Sequence, residues 1–352
     1  MGFTSQLERI YHDQTSTMIK LAEWVLLTAA VLVAAPTAYH VLAKIPIGGE
    51  GGWDYVTIDT AARRLYVSHA TRVVVVDAET EKIVGEIPDT PGVHGIAIAP
   101  NLNRGFTSNG RSNNVTIFDL KTLKTLGQIQ TGQNPDAILY DVSSNHIFTF
   151  NGRSKDATVI EAETGKVGAT IPLGGKPEFA VSDGKGRAYV NIEDTHEVAE
   201  IDTLQFVVTK RYLLNGCEEP SGLAMDLAHR RLFSVCANKV MVVSEPDSGK
   251  VIASLPIGEG TDGAGFDAAS GLAFSSNGDG TLTVVQEVSG QYEVVGNVPT
   301  QRGARTMTVD AKTHKIYLPA AQFGPVPVAT AQERRPRPVP LPDSFMLVVV
   351  GP

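Results

Sequence analysis

Residues 53–87 read WDYVTIDTAARRLYVSHATRVVVVDAETEKIVGEI. The run divides into WDYVTID, RRLYVSH, RVVVVD and IVGEI, short segments rich in Val, Ile, Tyr and Thr that are separated by turn residues, which is the signature of consecutive β-strands. The chain then repeats itself, with VHGIAIA (93–99), RGFTSNG (104–110), NVTIFDLKTLK (114–124) and TLGQIQTGQNP (125–135). Aligning the first strand of each repeat brings Asp54, His94, Asp136, Glu178, Ser221, Asp262 and Arg305 into register, spaced by 40, 42, 42, 43, 41 and 43 residues. A period of this length with four strands per unit predicts an all-β, seven-bladed propeller, because one twisted sheet cannot bury both its faces and radial stacking buries each against its neighbours.

The count closes across the two ends. The last repeat offers RTMTVD (305–310), KIYLPAA (315–321) and FMLVVV (345–350), and lacks a fourth strand. HVLAKIPIGG (40–49) resembles the outer-strand segments VGATIPLGG (167–175) and VIASLPIGE (251–259), so the amino-terminal strand is expected to complete the last blade. Residues 39–352 then form one propeller domain, with a Pro-rich insertion at 323–344 in blade seven.

The repeats LYVSHATRVVVVDAETEKIVGEI, FTSNGRSNNVTIFDLKTLK and FTFNGRSKDATVIEAETGK resemble the YVTN-type propeller repeats of YncE-like proteins and their surface-layer relatives. The resemblance covers roughly residues 41–352 and implies a propeller of exported bacterial type; it carries no shared catalytic motif. Blades five (LFSVCANKVMVVS) and six (AFSSNGDGTLTVV) depart from the pattern. It also implies a reading as a single-stranded nucleic acid binder, against which the acidic balance and the lack of an aromatic ladder argue.

Residues 1–38 carry the apolar stretch LAEWVLLTAAVLVAA (21–35) after Lys20, as in a secretory leader or an uncleaved anchor, with Met18 as a second plausible start. The expected location is the periplasm, or the extracellular space or cell surface, with membrane contact only through that segment if it is retained. The 352 residues carry a net charge of −8, which disfavours nucleic acid as a partner. Two Trp and no long exposed apolar segment point to a monomer.

The connection into each innermost strand and the turn between second and third strands share one face. The seven aligned residues should therefore ring the mouth of the central channel, with the acids and His94 attracting a divalent cation through Asp136, Glu178 and His94. The competing reading makes them turn caps, with Arg305 neutralising Asp262 and Asp54 on either side. Around them the second turns place Arg72, Arg111, Arg153, Lys155 and Lys239, either a grip for an anionic group or a solvated rim. Asn109, Asn151, Asn191 and Asn277 read as turn residues. The insertion, with Arg334, Arg335 and Arg337, reads as a lid, a partner-docking segment or a disordered loop.

Cys217 and Cys236 fall on one face of blade five, a placement that in an exported protein favours a disulfide of about 3 kcal/mol over a metal or redox pair. No G-x-S-x-G elbow, H-E-x-x-H, P-loop or C-x-x-C-H motif occurs. Two functions remain. One is a non-enzymatic binding or scaffold protein that holds a protein, glycan or small ligand at the channel mouth. The other is a lactonase-like hydrolase whose metal sits in the carboxylate ring.

Overall fold

The computed structural model describes residues 39–325 and 338–352. The leader segment and Arg334, Arg335 and Arg337 of the insertion lie outside the described residues. The described residues form seven sheets, each of four antiparallel strands, and their only helical pieces are two 3-10 turns. Strands are lettered a to d from the channel outward. The a strands are Trp53–Asp59, Val93–Ala99, Pro135–Asp141, Pro177–Ser182, Pro220–Asp226, Thr261–Asp267 and, in blade seven, the short Thr308–Asp310.

The burial of each strand follows from its place in the blade. The b strands are sandwiched on both faces, so Arg64–His69 is buried from Leu65 onward; the d strand Lys82–Ile87 is largely exposed until Ile87. Seven apolar clusters fill the seven gaps between blades, as where Tyr66, Val75 and Ile87 of blade one meet Ile96 and Phe118 of blade two. Each fully buried aromatic or branched side chain contributes roughly 1.5–3 kcal/mol, so stability is spread around the ring rather than concentrated in one core.

The amino-terminal strand closes the ring. His40–Pro46 pairs antiparallel with Met346–Gly351 as the d strand of blade seven, and beyond it the amides of Ile47 and Gly48 both donate to the Phe345 carbonyl at 2.9 Å. Ile45 and Phe345 then pack with Val56, Val67 and Val76 of blade one.

The ends of the blades differ in their polar chemistry. On the face away from the channel mouth, Asp59 accepts from the amides of Ala61 and Ala62, and Asp77 from those of Glu79 and Thr80, fixing the a–b and c–d turns. At the mouth, Asn109, Asn151, Asn191 and Asn277 are not turn residues. All four are fully buried at the ends of b strands. The Asn109 amide donates to Asn114 and Thr116 on the c strand, and Asn191 donates to the carbonyls of Ser221 and Gly222 in the next blade. Left-handed backbone falls a few residues later, at Asn113 (φ 53°) and Lys155 (φ 58°). A buried amide satisfies several strand-end groups at once, and burial outweighs the turn propensity of Asn here.

Cys217 and Cys236 are joined in a disulfide with Cα atoms 5.4 Å apart. The base of the insertion is held by a bridge between Phe323 and Pro340, and Phe323 lies 6.1 Å from Trp53 between ring centroids.

Candidate functional site at the channel mouth

In the first six blades the a strand slips register against its b strand at the residues that enter the channel: between Trp53 and Val56, Val93 and Ile96, Pro135 and Ile138, Pro177 and Ala180, Pro220 and Leu223, and Thr261 and Gly263. A bulge adds an unpaired residue and re-aims its side chain. Serines on the b strands help to satisfy it, with Ser68 Oγ accepting from the Asp54 amide and Ser108 Oγ from the Gly95 amide, both at 2.9 Å. Asp54, His94, Asp136, Glu178, Ser221 and Asp262 all occupy these irregularities, and Arg305 lies three residues before its short a strand.

All seven line one cavity of 330 Å³, together with Tyr55, Lys176, Glu193, Glu219, Ala237 and Thr261. The Tyr55 ring meets Phe179 of blade four across the channel, with centroids 5.3 Å apart. Beyond that pair lies a second cavity of 450 Å³ walled by apolar groups such as Ile96, Ile138, Leu139, Met225 and Phe266. The upper space is thus a polar cup above an apolar channel.

Six carboxyl side chains face three basic ones in the cup. His94 Nδ1 lies 2.6 Å from Asp54 Oδ2 and 3.7 Å from Asp136 Oδ1. Lys176 binds Glu178 at 2.7 Å and also Glu193, and Arg305 Nε lies 3.2 Å from Asp262. Two ring acids keep an oxygen with no hydrogen-bond partner, Asp54 Oδ1 and Asp136 Oδ1, and both atoms are buried. Among the described residues no ring acid accepts a backbone N–H, so these side chains do not cap turns. Nor does Arg305 pair with Asp54, which His94 holds instead.

The charges crowd one another. Burial and then the Asp54 charge push Asp136 up to about 6. Burial also raises Asp262 to about 7 despite Arg305, and it raises Glu178, helped by the Asp136 charge. Burial opposes a charge on His94, but the hydrogen bond to Asp54 and the charges of Asp136 and Asp54 prevail and lift it to about 9. Burial and the same four ring acids hold the Tyr55 hydroxyl well above its usual value.

The rim cations do not share this space. Arg72, Arg111, Arg153, Lys155 and Lys239 are absent from the cup wall; Arg111 lies over Gly92, Arg153 is exposed, Lys155 pairs with Asp194 at 2.6 Å and Lys239 with Glu259 at 2.8 Å. The metal trio expected from sequence is also rearranged. The ligating atoms of Asp54, His94 and Asp136 all lie within 4.8 Å of one another, whereas Glu178 is engaged by Lys176.

Sequence reading passed over Lys176, Glu193, Glu219 and Tyr55. Two residues before each ring position stand Gly52, Gly92, Asn134, Lys176, Glu219, Gly260 and Gly303. Only Lys176 and Glu219 carry charge at that register, a contrast visible in the repeat once it is aligned. The disulfide fixes this wall too, since Cys236 adjoins Ala237 and Cys217 lies two residues before Glu219.

No family model matches the chain, and no curated protein does. Solved structures match in number, 1792 chains in all, as expected of a widely used architecture. One of them is hydrazine synthase from Kuenenia stuttgartiensis, with a TM-score of 0.67 and 16% identity over 84% of this chain and 97% of that one. The likeness shows the propeller fold. The YVTN-type resemblance has no family model behind it, and only the architecture it implies is shown.

Proposed function

We propose that the cup captures a small cationic ligand, and that the chain is an exported binding protein rather than a catalyst. The observation that carries this reading is the pair of buried, unpartnered carboxylate oxygens on Asp54 and Asp136 inside a 330 Å³ cavity. A buried carboxylate oxygen left without a hydrogen bond is costly, and a cation supplied from solution removes that cost. The volume lies at the small end of the ~300–1,000 Å³ range of small-molecule sites. The disulfide suits export, because such bonds persist in oxidising compartments.

The test is calorimetric titration with 1,4-diaminobutane and with succinate, its dianionic counterpart. The diamine should bind and succinate should not, and an Asp136→Asn, Asp262→Asn variant should lose roughly tenfold or more in diamine affinity, about 1.4 kcal/mol. Succinate binding with equal affinity would contradict an electronegative cup. The Asp54–His94–Asp136 group favours one second reading, a metal-assisted hydrolase. Turnover of an ester or lactone panel, abolished by Asp136→Asn, would replace the binding reading with that one.

A further inference from the structure

We propose that Asp54, His94 and Asp136 form a binding site for a divalent first-row transition ion, with His94 Nδ1 and one oxygen from each carboxylate as ligands. This deepens the reading of the cup as a cation site and rests on it.

The donor atoms are already gathered, all within 4.8 Å of one another. Ligands at about 2.0–2.2 Å from one ion stand about 2.8–3.6 Å apart, from the octahedral to the tetrahedral arrangement. The present 2.6 and 3.7 Å separations from His94 Nδ1 to Asp54 and Asp136 straddle that range, so shifts of a fraction of an ångström complete the geometry. The ring already presents the needed nitrogen. Nε2 is turned toward Gly110, where even a Cβ would come within 2.6 Å of it, leaving Nδ1 toward the acids.

Several independent features point to an occupant. Asp54 Oδ1 and Asp136 Oδ1 are buried and unpartnered. Tyr55, only 7% exposed, lines the cup beside them. Metal binding releases the Nδ1 proton, after which two carboxylates and a neutral imidazole balance the divalent charge, and the imidazole selects against Ca²⁺ and Mg²⁺, which prefer oxygen alone. Three protein ligands leave coordination positions open toward the cavity.

The experiment uses untagged full-length protein freed of metal, titrated with Zn²⁺ by calorimetry and with Co²⁺ by visible absorption. One equivalent of Zn²⁺ should bind, and Co²⁺ should develop d–d bands of a nitrogen–oxygen site. His94→Gln and Asp136→Asn should each weaken zinc at least ~100-fold. His229→Gln removes an exposed histidine beside Asp226, outside the cup, and should change nothing. A folded, disulfide-intact His94→Gln protein that binds zinc like the parent would overturn the assignment, as would loss of zinc in His229→Gln alone. No zinc binding with retained diamine binding refutes the metal and spares the cationic cup; loss of both refutes each.

Discussion

His94 and His69 belong to adjacent blades and open on the same face, yet their surroundings drive them in opposite directions. His94 is bracketed by Asp54 and Asp136 and lifted to about 9. His69 is fully buried, has no hydrogen bond at either ring nitrogen and stacks on Phe345 at 4.3 Å; burial, helped by Arg72, pushes it down to about 4. One imidazole serves as a plate in the seam that closes the ring. The other is a charged member of a site. Residue type is the same in both, and partner chemistry decides the role.

The seam should give way first and furthest. Deleting residues 41–46 removes the outer strand of blade seven and uncovers the Met346–Gly351 edge, so the cooperative thermal transition should disappear in circular dichroism. Phe345→Ala removes the ring that stacks on His69 and packs tilted against Trp53, and should cost about 3–5 kcal/mol in urea unfolding.

A third, smaller effect depends on pH. The folded-state value of His69, about 4, lies below its ordinary 6.5, so folding favours the neutral ring. Its contribution is complete above pH 6.5 and is lost as pH falls toward 4, on the order of 3 kcal/mol in all. Unfolding curves at pH 7 and pH 4.5 should show that slope, and His69→Phe should flatten it. The cup should respond least and with the other sign. Asp136→Asn removes a charge that burial and the Asp54 carboxylate together disfavour, so at pH 7 without ligand the variant should be as stable as the parent or slightly more so. A loss comparable to that of Phe345→Ala would mean that the ring acids hold the blades together rather than wait for a ligand.

Much of this was legible in the sequence. The period placed seven residues at one mouth, and the structure gathers all seven in one cavity, because a repeat fixes position by arithmetic. The closure by 40–49 was legible for the same reason. Partnership was not. His94 takes Asp54 because a bulge in each a strand re-aims the ring residues, and no propensity marks a bulge. Tyr55 reads as an ordinary strand residue, since its neighbour Phe179 comes from across the channel. Glu193 enters from a b–c turn, in a 3-10 turn unlike the other repeats' loops except that after Ala99. The buried asparagines were misread because local turn propensity is weaker than the need to satisfy strand-end groups between blades.

The most direct measurement is an NMR titration of the eight histidines, with His94 and His69 assigned from the spectra of His94→Gln and His69→Phe. An electronegative cup facing an apolar seam predicts that His94 stays charged until about pH 9 and His69 stays neutral until about pH 4. Both rings titrating together near 6.5 would contradict the account, because the carboxylates around His94 would then lack the field on which cation capture depends.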